Sequence, residues 1–63
     1  MAIDPRWYRV LQNVHKHLRR ELSAKGEPKP AFADAAEILI GDNEEYAKRA
    51  SEIREAARSM DNG

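Results

Sequence analysis

Apolar residues recur at three- and four-residue spacing in three separate stretches of this chain, and that rhythm predicts three helices. In the first stretch Trp7, Val10, Leu11, Val14, Leu18 and Leu22 share one stripe, about 120° wide at ~100° per residue. Asp4 offers a side-chain oxygen to the free amides at its start. Pro5 suits the first helical position, where an N–H has no acceptor inside the helix. Gly26 is a permissive stop, and Pro28 follows just beyond it. A helix is expected over residues 4 to 25.

The connection Lys25-Gly-Glu-Pro-Lys-Pro30 holds two prolines, each of which disfavours helix in the residue before it. It is short enough to make its flanking helices neighbours. The second helix is expected from residue 30 to 40, with Phe32, Ala35, Ala36, Leu39 and Ile40 inward. Asp34 and Glu37 point away, Ile38 falls on the flank, and Gly41 is expected to end the helix. A strand over Glu37 to Ile40 would have no partner strand in the chain.

The third helix is expected over residues 43 to 60. Asp42 and Glu45 form a D-x-x-E pattern resembling a capping box. Tyr46, Ala50, Ile53, Ala57 and Met60 then follow at spacings of four, three, four and three, a short heptad seam. Glu44–Lys48, Glu45–Arg49 and Lys48–Glu52 are opposite charges at i,i+4. The tail Asp61-Asn-Gly63 is expected to fray. The fold class that follows is all-α: a small three-helix bundle in one domain, residues 1 to 63.

Length sharpens this picture. A chain of 63 residues with no cysteine has neither a disulfide staple nor a Cys/His zinc cluster. Its stability must come from helix packing or from a second copy of the chain, so a homodimer is expected. No stretch approaches the ~20 apolar residues of a membrane span, and Met1 to Arg9 lacks the apolar run of a secretory signal. A soluble, cytoplasmic chain with no membrane partner is the expectation.

The formal charge is zero, but it is unevenly placed. Between Asp4 and Lys25 six cations face two anions; between Ala31 and Gly63 four cations face eight anions. Arg6, Arg9, Lys16, Arg19 and Arg20 lie around the side of the first helix away from its stripe and could meet phosphates of a nucleic acid. The competing reading is a solvated face, or one paired with the acidic half. Zero net charge favours the competitor. A helix-turn-helix built on Gly41-Asp42-Asn43 would push Glu44 and Glu45 toward phosphate, which argues against it.

Catalytic chemistry has little to stand on. There is no cysteine nucleophile and no glycine-rich phosphate loop, and Ser23, Ser51 and Ser59 lack a His/Asp setting. His15 and His17 diverge by ~200° on a helix and cannot share a metal. His17 and Glu21 at i,i+4 would supply two ligands where a site needs three or four. No enzyme, cofactor or metal is expected.

Tyr8 at the stripe edge, Tyr46 at the head of the seam and Ile38 on the flank of the second helix are the expected protein-binding residues. The leading expectation is a non-catalytic interaction or regulatory module. By analogy of size alone, it is the kind of accessory factor that phages and mobile elements carry. A small nucleic-acid-binding protein is the alternative.

Overall fold

A computed structural model describes residues 3–62. These residues form four helices and no strand: α1 (Pro5–Ala24), α2 (Phe32–Asp42), α3 (Glu44–Lys48) and α4 (Ala50–Asn62). The all-α class follows the apolar periodicity directly.

Both ends of α1 form as expected. The Arg6 amide donates to Asp4 Oδ1 at 2.9 Å, and Pro5 takes the first helical position. At the other end Gly26 adopts φ +76°, a conformation that costs L side chains about 1–2 kcal/mol. The Glu27 amide then reaches the Leu22 carbonyl at 2.8 Å, and the Gly26 amide reaches Ser23 at 3.1 Å. These two bonds satisfy carbonyls that the helix itself leaves open.

Three local expectations are corrected. First, α2 continues through Gly41 to Asp42. The cap of the next helix is Asn43, not Asp42: its Oδ1 accepts the Glu45 amide at 2.8 Å. Asn43 has extended backbone (φ −152°, ψ 136°), which sets its side chain beside those amides, while Asp42 is still helical. Second, the expected third helix breaks at Arg49 (φ −110°, ψ 23°) into α3 and α4. The Arg49 amide turns back to the Tyr46 carbonyl at 3.0 Å, and the Arg49 carbonyl accepts from Ile53 at 3.0 Å to start α4. In a straight helix Tyr46 and Glu52 would stand ~9 Å apart along the axis. The break lets both reach one indole. The Trp7 and Tyr46 rings meet edge to face at 5.7 Å, and Trp7 Nε1–H donates to Glu52 at 3.1 Å.

Third, the C-terminal segment is ordered helix through Asn62, and Asp61 is part of the fold. Its carboxylate accepts the Phe32 amide at 2.7 Å and the Ala33 amide at 3.2 Å. Those are the first amides of α2, whose own N-cap, Ala31, has no side-chain oxygen to offer them. Gly63 lies outside the described residues.

Helices α2 and α4 run antiparallel: Phe32 faces Asp61, and Glu37 faces Arg54. Ala35 and Ala36 on α2 and Ala56 and Ala57 on α4 are fully buried. Small side chains on both partners are what allow two helix axes to approach closely. Arg54 grips Glu37 through two hydrogen bonds, 2.7 and 3.1 Å, across this pair.

Helix α1 lies over that pair as a second layer. The Cα extents are 37 × 27 × 14 Å. One short dimension of this size matches two layers at ~8–10 Å between axes plus two Cα radii of ~2.3 Å. Three nearly parallel helices would give two short dimensions, so α1 crosses its neighbours. Trp7, Leu11 and His15 line its buried edge at i+4 steps, and Trp7 and Leu11 join Ala35, Ala36, Leu39, Ile53, Ala56 and Ala57 in the core. Leu11 and Ile53 are the largest fully buried side chains, and each contributes about 1.5–3 kcal/mol by its removal from water.

His15 is buried as well, 5% exposed. Its Nε2–H donates to the buried Pro30 carbonyl at 2.7 Å, and its ring stacks on Phe32 at 4.1 Å. The proline-rich connection therefore folds back along α1 and is pinned where α2 begins.

Candidate functional site

Two surfaces of α1 remain once the core is assembled. The first is a shallow groove bordered by Val14, His17, Leu18 and Glu21 of α1 and by Ile38 of α2. Ile38 is 49% exposed, the one large hydrophobic residue in that class among those described. Leu18 and Leu22 are half-buried, but neither packs against the buried core. Helix α1 spans ~30 Å, whereas the 11 residues of α2 span ~16 Å, so α2 underlies only part of α1.

The three expected protein-binding residues do not form one patch. Ile38 stands in the groove just described. Tyr8 is half-buried and packs on the core. Tyr46 is half-buried too, and it borders a separate hollow with Arg6, Trp7, Val10, Glu45 and Arg49. Val14 and Leu18 join Ile38 instead. Val14 still packs against the core, as its place in the stripe predicts; Leu18, expected in the same stripe, does not, and the available clue is the unequal length of the first two helices.

The second surface is the outer side of α1. Arg6, Arg9, Gln12, Asn13, Lys16, Arg19 and Arg20 are all exposed, within an arc of about 140° at ~100° per residue. Arg6 bonds to Asp4 at 2.9 Å. Hydrogen bonding from Arg6 holds the Asp4 carboxyl below its ordinary value and raises the guanidinium in turn. Arg9, Lys16, Arg19 and Arg20 form no ion pair within 4.0 Å among the described residues. Among the described residues the acidic half thus makes no direct ion pair with this row.

Four carboxylates of the acidic half are engaged elsewhere. Glu37 pairs with Arg54, Glu52 with Trp7 and Arg49, Asp34 with the Ala31 amide, and Asp61 with α2. Hydrogen bonding from Arg54 lowers the Glu37 carboxyl below its ordinary value. The expected i,i+4 pairs of the third helix do not form. The break at Arg49 alters the spacing of Glu45–Arg49 and Lys48–Glu52, and Arg49 meets Glu52 at i+3 instead, 3.8 Å away.

His17 and Glu21 share the groove without an ion pair within 4.0 Å. Among the described residues no three metal-ligating side chains gather. None of the helices there is long and apolar enough to cross a membrane. No protein-family model matches the chain, and neither a curated protein nor a solved structure matches it.

Proposed function

We propose that this chain is a non-catalytic protein-interaction module acting in the cytoplasm, with the groove between α1 and α2 as its contact surface. The observation that carries this reading is Ile38. A branched aliphatic side chain, 49% exposed beside Val14 and Leu18, gains about 1 kcal/mol or more when a partner covers it. The shallow, open shape of the groove suits a helix or a flat protein surface better than a small molecule, which needs an enclosing cleft. A second copy of the chain is the simplest partner, since a small domain gains stability from a two-fold contact. A different protein that this module regulates or adapts is the other.

Sedimentation of the purified chain, together with a photo-crosslinker placed at position 38 in host cells, tests the reading. A dimer that dissociates in Ile38→Asp identifies the second copy. A monomer that crosslinks to one discrete protein identifies a heterologous partner. A monomer that yields no discrete adduct overturns the proposal.

A further inference from the structure

We infer that the outer face of α1 is a binding surface for duplex nucleic acid, separate from the groove and able to act while the groove is filled. The inference goes beyond the reading above and rests on different residues.

The geometry supplies a helix exposed along its whole outer side. Arg9, Lys16, Arg19 and Arg20 project from it without ion-pair partners among the described residues. From Arg9 to Arg20 the row covers ~17 Å of helix axis. Glu21 is the single carboxylate of α1, and it lies on the groove side. The remaining carboxylates, apart from capping Asp4 and the connection's Glu27, sit on or beside α2, α3 and α4. That layer is set behind α1 by ~8–10 Å, about one Debye length at physiological salt. An approaching polyanion therefore meets the cations first. Zero net charge describes the chain as a whole and not this face.

The neutral residues on the same face narrow the partner. Gln12 and Asn13 sit between Arg9 and Lys16 and are exposed. Amide side chains flanked by arginines can pair with base edges, Asn or Gln with adenine and Arg with guanine, while the outer cations hold phosphates. A helix ~10–12 Å across fits the ~12 Å major groove of B-DNA. An anionic membrane is the weaker fit. A helix lying on a bilayer buries an apolar face, and Trp7, Val10, Leu11 and Val14 of that face of α1 are committed to the core. Single strands are also disfavoured, because this face carries no aromatic ring for base stacking.

Fluorescence anisotropy with a labelled 30-base-pair duplex of mixed sequence, at about 20–200 mM salt, tests the inference. Parallel arms use polyglutamate and vesicles of phosphatidylserine and phosphatidylcholine. Four unpaired cations predict a log–log salt slope of about −3 to −4, hence roughly a hundredfold loss of affinity between 50 and 200 mM. Arg9→Glu with Arg20→Glu should abolish binding while helicity and melting stay unchanged, because both side chains are exposed and unpaired. Gln12→Ala with Asn13→Ala should keep the salt slope and flatten any preference among duplex sequences. Ile38→Asp should bind duplex like the parent, which separates this test from that of the groove. Three results would each overturn the inference: no anisotropy change at 100 µM protein and 20 mM salt, binding that survives the double charge reversal, or equal or tighter binding to polyglutamate or vesicles.

Discussion

Asp61 closes the start of α2 from the far end of α4, accepting the Phe32 amide at 2.7 Å across 29 residues of sequence. The N-cap of that helix, Ala31, has no side-chain oxygen of its own. One carboxylate thus joins the last turn of α4 to the first turn of α2. Asp61→Ala should cost about 1–2 kcal/mol, the ordinary worth of a lost cap. For a domain of this size that means a fall of roughly 4–16 °C in melting temperature. Asp61→Asn, which keeps one acceptor oxygen, should fall between the variant and the parent. Thermal denaturation followed by circular dichroism reads both, and an unchanged midpoint in Asp61→Ala would show that the cap contributes nothing.

His15 joins α1 to the connection before α2. Its ring stacks on Phe32 at 4.1 Å and donates to the Pro30 carbonyl at 2.7 Å. His15→Phe keeps a flat ring for the stack but strands a buried carbonyl, at a cost of about 1–3 kcal/mol. His15→Ala loses both and leaves a cavity, so it should be the worse of the two. Urea denaturation ranks them. Equal stability of parent and His15→Phe would mean the hydrogen bond carries no weight.

The α2–α4 contact depends on side chains being small. Ala36 and Ala57 are both fully buried. Ala57→Leu forces extra methylenes between two close helices, with an expected cost of about 1–3 kcal/mol. Ala47→Leu, on the exposed side of α3, should change stability by less than about 0.5 kcal/mol. Comparable melting of the two variants would refute the close approach of α2 and α4.

Acid should loosen the same helix pair. The Arg54 guanidinium holds the Glu37 carboxyl below its ordinary value of 4.5, and Arg6 does the same for Asp4 below 3.8. A carboxyl with a lowered folded-state value contributes stability that is complete above its unfolded-state value. That contribution disappears as pH falls through the lowered one. The melting temperature should therefore be insensitive to these two groups from about pH 5 to 8 and should fall below ~4.5. Both pairs are exposed, so salt should shrink the effect. Glu37→Gln should flatten the acid limb of a melting-versus-pH curve; an acid limb identical to the parent's would exclude the pair as its source.

The apolar rhythm of the chain was enough to determine the class of fold, the extent of α1 and both of its caps. The reason is that these features are local. Asp4, Pro5 and Gly26 act within a few residues of themselves, and a stripe at helical spacing needs no knowledge of its partner. The inward residues of α2 were legible for the same cause, as was the exposure of Ile38 on its flank. Tertiary structure decided the rest. The break at Arg49 comes with contacts of both Tyr46 and Glu52 to Trp7, a residue some forty positions earlier. Asp61 is ordered because it satisfies amides at the other end of the chain, and His15 is buried because a carbonyl and a ring from the connection come to meet it. Local spacing places a side chain on a face of its own helix. Which neighbour covers that face, and where α1 outruns its cover to leave Leu18 beside Ile38, depends on how the two layers cross.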